Sequence, residues 1–238
     1  MWLRTGDDVV VVYTGDATRL PNGIQIGPVS TEQPFSRIEH GSTAAIGDGR
    51  IVLDGLTVEA ARWWDPRPAL SPIRPAALLE ACRNLPREVP GIEATTLRIG
   101  LEARSAGGIL HAARSLLGYG PGLTPEGDDY LAGALAATRL LGEALGFERP
   151  VALVAGVSVP LARLAEARTT TFSAALIRCA LRGQVTEPAG ALLRALTGRG
   201  DVAAGHLALV RVGHTSGPAL AAGIALGAYS LLAPYGGD

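Results

Sequence analysis

Residues 118 to 133 read GYGPGLTPEGDDYLAG, and no regular element can run through the first half of that stretch. Gly118, Gly120, Gly122 and Gly127 alternate there with Pro121 and Pro125. Glycine opens backbone regions closed to other residues, and proline removes a donor and fixes φ. A helix begins where they stop. Thr124 predicts an N-cap and Pro125 the first helical position, while Glu126, Asp128 and Asp129 place acid at the positive end of the helix dipole. Ala, Leu and Gly at helical spacing carry the helix to about Leu145. The pattern predicts a glycine-rich loop feeding a buried helix, with carboxylates at the junction. Read as helix-end acids, Asp128 and Asp129 are expected to be exposed and to contribute only about 0.3–1 kcal/mol each.

Composition removes several chemistries. Lys and Arg total 21, and every one is arginine. No Schiff base, P-loop lysine or Ser–Lys dyad can therefore be built. An anion must be held by arginine, by backbone N–H groups or by a metal. The net charge of −1 and the absence of a basic run predict no nucleic-acid partner. Cys82 and Cys179 lack metal-ligand spacing and predict two reduced, buried thiols of a cytoplasmic protein. Arg4, Asp7 and Asp8 around a short valine run predict no signal peptide. Thr215 to Gly237 carries no charge and is long enough to span a membrane. It is built of Ala and Gly and contains Pro218 and Pro234, which predicts a buried core helix and no membrane partner.

Along the chain the pattern changes once. Val9–Tyr13, Gly23–Ile26, Arg37–His40, Ala44–Ile46, Arg50–Leu53 and Leu56–Val58 are short β-prone runs. Asp48-Gly49 and Asp54-Gly55 are hairpin signals. Together they predict a small barrel or sandwich over residues 1–66. Trp63-Trp64 opens a proline-rich join and is expected to plug the seam between domains. Residues 67–238 predict an all-helical domain, so the fold class is α+β. Its helices are read at Ala76–Leu85, Ser105–Leu117, Pro125–Leu145, Thr170–Leu181, Glu187–Leu196, Ala203–Val212 and Gly217–Leu232. Val151–Ala167 contains Pro160 and is expected to kink or divide.

Three places offer chemistry. The loop brings Gly120, Gly122, Thr124 and Gly127 beside Asp128 and Asp129. Arg168 with Thr169, Thr170, Thr171 and Ser173 places a guanidinium and hydroxyls at another helix start. Gly213-His214-Thr215-Ser216-Gly217 has the spacing of a nucleophile elbow, but threonine at the nucleophile position argues against a hydrolase. His214 is the general acid/base candidate among the histidines. Glu126–Gly133 and Ser216–Gly223 share a rhythm, glycine six residues before the glycine of an Ala-Gly pair, which predicts two helix starts facing one cleft. Helix N-termini attract anions, yet the acids oppose one. An arginine bridge from Arg114 or Arg168 resolves the conflict. So does a Mg²⁺ held by the aspartates, or N–H donors of a ligand given to the aspartates.

GPGLTPEGDDYLAG, with RTTTFSAALIRCA at 168–180 and GHTSG at 213–217, resembles the AllH subunit family of oxamate carbamoyltransferase over roughly Leu110 to Leu232. The resemblance implies a carbamoyltransferase subunit in purine and allantoin catabolism. Oxamate and carbamoyl phosphate would exchange there with oxalurate and phosphate. It implies a small carboxylate or phosphate substrate, other subunits in a hetero- or homo-oligomer, and no resident cofactor apart from the Mg²⁺ option. Asp128, Asp129 and His214 are then the expected catalytic residues. Gly120, Gly122, Thr124, Gly127, Arg168, Thr170, Thr171, Ser173, Thr215, Ser216 and Gly217 are the expected ligand contacts. The competing class is a non-catalytic assembly or ligand-sensing subunit. Carbamoyl N–H groups suit the third resolution best.

Overall fold

The computed structural model describes residues 1–6 and 8–233. Two small sheets come first. β1 (Trp2–Thr5) runs antiparallel to β2 (Asp8–Tyr13), which pairs in parallel with β3 (Gly23–Gln25). β4 (Ala45–Gly47), β5 (Arg50–Leu53) and β6 (Leu56–Glu59) form an antiparallel meander. Its two turns are the expected ones, with Asp48, Gly49, Asp54 and Gly55 all at positive φ.

The expected barrel or sandwich does not form. Each sheet has three strands and neither closes, because so few strands cannot complete a circuit. The inner face of β2 finds a different second layer. Val9, Val11 and Tyr13 pack on Ala175 and Phe172 of a helix in the second half of the chain. Arg37–His40, expected as a strand, is turn and irregular chain, and β1 was not anticipated from its four residues. Trp63 is 91% exposed and does not plug a seam, while Trp64 is half-buried.

The second half is helical, as expected. Its helices are α1 (Pro75–Cys82), α2 (Thr95–Glu102), α3 (Ala106–Leu116), α4 (Glu126–Leu145) and α5 (Glu148–Arg168). They continue with α6 (Thr171–Leu181), α7 (Glu187–Leu196), α8 (Val202–Val210) and α9 (Ser216–Leu232). α2 is an addition. It is two turns long between proline- and glycine-broken loops, and Leu97, Gly100 and Leu101 mark its buried stripe. α5 stays one helix through Pro160.

α4 and α9 form the centre and are buried on nearly every face. Their backbones touch. A Cβ on Gly223 would collide with the Tyr130 carbonyl oxygen, one on Gly227 with that of Ala134, and one on Gly133 with that of Leu220. As α9 advances from Gly223 to Gly227, its neighbours on α4 advance from Tyr130 to Ala134, so the two helices run in the same direction. One sequence offset relates Gly127 to Gly217, Tyr130 to Leu220 and Gly133 to Gly223. The echo in the sequence is thus a pseudo-twofold helix pair with adjacent N-termini. The uncharged stretch from Thr215 is this core helix as far as Leu232, and residues 234–237 lie outside those described. Among the described residues one helix, α5, is long and apolar enough to cross a membrane.

Gly223→Ala is expected to lower stability by about 1–3 kcal/mol, because a methyl group has to push the two backbones apart. Gly107→Ala, in the exposed first turn of α3 where a Cβ meets only a hydroxyl at van der Waals distance, should cost nothing. Thermal denaturation of the two variants beside wild type measures the contrast. Equal melting temperatures for all three would contradict the close approach.

Candidate functional site

The glycine loop is shaped by positive φ at Gly118, Gly120 and Gly122, a region open to glycine at no steric cost. It delivers Pro125 to the N-cap of α4, one residue later than the expected Thr124. Thr124 bonds across instead: its hydroxyl lies 2.9 Å from that of Ser216, tying the start of α4 to the start of α9.

The adjacent aspartates have opposite surroundings. Asp128 is 1% exposed and fully engaged. One oxygen accepts from the Gly118 N–H at 2.8 Å, and the other accepts from the Ser173 hydroxyl at 2.6 Å and from the Thr169 hydroxyl. It latches the loop to the α5–α6 junction. Thr170 adds a second tie, capping the Ser173 N–H at 3.0 Å while donating to the Leu123 carbonyl at 2.6 Å. Asp128 is therefore not the exposed helix-end acid its position suggested.

Asp129 points between α4 and α9. Its Oδ2 is buried without a hydrogen-bond partner. Burial pushes its pKa up to about 7, and the negative charges of Asp128 and Glu126 push in the same direction. The Ser216 and Thr124 hydroxyls pull it partly back. A carboxyl in this range exchanges its proton near neutral pH, which suits general acid–base work. An unpaired buried oxygen is costly in a native structure, and an N–H donor of a ligand would relieve it.

The other expected residues divide. Ser216 and Thr124 border the Asp129 niche. Gly127 and Gly217 serve packing: a Cβ on either would strike the Leu116 or Leu209 carbonyl, and their N–H groups bond Tyr119 and Val212 carbonyls at 3.0 and 2.9 Å. Asp128 and Asp129 N–H groups bond the Pro125 carbonyl. The donors left to face a ligand at this end are therefore side chains more than first-turn N–H groups. Ser173 and Thr170 serve the latch. Arg168 is exposed and donates to the Arg114 carbonyl at 3.0 Å. Thr171 is exposed, Thr215 is half-buried at the N-cap of α9, and His214 is exposed in the preceding turn. His214 is not among the groups bearing on Asp129. Sequence reasoning placed Thr169 among the helix-start hydroxyls and Glu126 among the helix-end acids, but missed that Thr169 donates to Asp128 and that Glu126 acts on Asp129. Only the doubled aspartate, whose neighbours on a helix must face different ways, hinted at them.

Among the described residues no three His, Cys, Asp or Glu side chains gather for a metal, and both Asp128 oxygens already accept hydrogen bonds from protein donors.

These features define a helical protein with a carboxyl niche at paired helix starts. Residues 116–228, from the end of α3 into α9, match the family model described as oxamate carbamoyltransferase subunit AllH. That family is one of subunits, which implies further subunits in a complex. No curated protein and no solved structure matches the chain.

The two aspartates should separate under mutation. Asp128→Ala leaves buried donors unpaired and is expected to cost at least about 2 kcal/mol. Asp129 carries the opposite sign. Its folded pKa lies above the unfolded value near 3.8, so its stabilising contribution is complete below pH 4 and is lost as pH rises through 7. Asp129→Asn should therefore be as stable as wild type or more so at pH 8, and should flatten the decline between pH 4 and 7. Urea denaturation across that range tests both. A loss of stability at pH 8 in Asp129→Asn comparable to that of Asp128→Ala would refute the distinction.

Proposed function

We propose that this chain is the oxamate carbamoyltransferase subunit that holds the small substrate between the starts of α4 and α9. The observation carrying this reading is the buried, unpaired Asp129 oxygen in a niche bordered by Thr124 and Ser216. A carbamoyl or oxamate amide presents the N–H donors that oxygen lacks. In the transfer itself, the oxamate nitrogen attacks the carbamoyl carbon, the carbon–oxygen bond to phosphate breaks, and one N–H proton leaves. Asp129, with its pKa about 7, takes that proton in the forward direction and returns it in reverse. Arg168, at the junction that Asp128 latches to the glycine loop, supplies positive charge for the phosphate or carboxylate. The cytoplasm is the proposed compartment.

A second reading has its own support. Tyr119 and Leu123 on the glycine loop are 44% and 52% exposed, as expected of a loop that another subunit covers in a non-catalytic assembly role.

Thermal shift against oxamate, carbamoyl phosphate and inorganic phosphate, with and without the other subunits, distinguishes them. Ligand stabilisation is expected in wild type, and is expected to vanish in Asp129→Asn and weaken in Ser216→Ala. An N–H donor prefers the ionised carboxylate, so affinity for oxamate should fall by up to about tenfold per pH unit below 7. Full ligand response in both variants, or affinity indifferent to pH, would reject the niche.

A further inference from the structure

α5 carries a face that none of the described residues covers. Of its most apolar window only 28% is buried. Glu148, Ala152, Ala155, Gly156, Val159 and Arg163 are exposed at helical spacing along one side, with Val159 63% exposed and Pro160 at the margin. Added atoms at Gly156 would meet nothing within 4 Å. The face ends in charge. Glu148 and Arg163 are exposed, and neither forms an ion pair among the described residues.

We propose that this face binds a second copy of the chain, with the two α5 helices antiparallel about a twofold axis near Ala155 and Gly156. Charge fixes that register. When Glu148 of one copy meets Arg163 of the other, the twofold repeats the same pair at the far end. The register also sets Ala152 opposite Val159 and Ala155 opposite Gly156, small against larger and smallest at the crossing. An antiparallel pair places each helix N-terminus beside the other's C-terminus, which the helix dipoles favour. A membrane fits this face less well. The uncharged run from Pro150 to Ala162 is only about 20 Å long, against a hydrocarbon core of about 30 Å. Its opposite side packs on α3, α4 and α6.

Sedimentation equilibrium of the full chain at micromolar concentration tests the pairing. A dimer is expected for wild type. Gly156→Arg should weaken it at least about tenfold while the monomer still unfolds cooperatively, because the site has room. Glu148→Arg and Arg163→Glu should each weaken the dimer, and the chain carrying both should recover it, since the reversed charges meet again. That recovery is specific to self-pairing in this register. A monomeric wild type, a dimer indifferent to Gly156→Arg, a double variant no better than the singles, or a monomer that pellets with neutral phosphatidylcholine vesicles would each overturn the proposal.

Discussion

The contact between the α4 and α9 backbones is the constraint on which the rest depends. Two helices approach this closely only where side chains are absent, and Gly133, Gly223 and Gly227 stand at those points. The approach has an electrostatic consequence. Two parallel helices bring two positive dipole ends together, and such ends repel each other and favour negative charge. The acids meet that demand unevenly: Glu126, Asp128 and Asp129 all lie in the first turn of α4, while the first turn of α9 has none. Pro218 and Ala219 occupy the corresponding positions on α9. One set of carboxylates therefore sits at a junction of two helices.

That junction explains why neighbouring aspartates differ. Adjacent residues on a helix point about 100° apart, so Asp128 turns toward the α5–α6 junction and Asp129 toward α9. Asp128 meets three donors and becomes a structural tie. Asp129 meets two hydroxyls and two negative neighbours, and retains an oxygen that the protein does not satisfy. A fully bonded carboxylate holds a fold together, whereas an incompletely bonded one keeps capacity for a ligand. The latch also sets the geometry of the niche, because the Gly118 N–H and the Leu123 carbonyl are fixed to the same helix junction by Asp128 and Thr170.

The N-terminal sheets follow from the same core. α6 presents Phe172 and Ala175 outward, and β2 lays Val9, Val11 and Tyr13 on them. Arg178 of α6 pairs with Asp8 at 3.1 Å on one side and with Glu166 at 3.0 Å on the other. A sheet of three strands that borrows a helix as its second layer has no need to close. The β4–β6 meander keeps the alternation its sequence predicts, with Ile51 and Leu53 buried and Val52 exposed.

Local chemistry was legible in the sequence wherever a local rule decides. The Asp-Gly turns, the glycine loop and the periodic helices follow from φ preferences and spacing within a few residues. The 90-residue echo between Glu126–Gly133 and Ser216–Gly223 even exposed the helix pair, because close packing leaves glycine in its wake. Tertiary structure alone decided three matters. It chose α6 as the partner of β2, an encounter of surfaces more than 150 residues apart that no local pattern encodes. It moved Thr124 from the cap to a cross-helix bond with Ser216. It also gave Asp128 its donors and left Asp129 without them. Burial and hydrogen bonding depend on what the rest of the chain brings alongside, and two aspartates adjacent in sequence carry no sign of which one that will be.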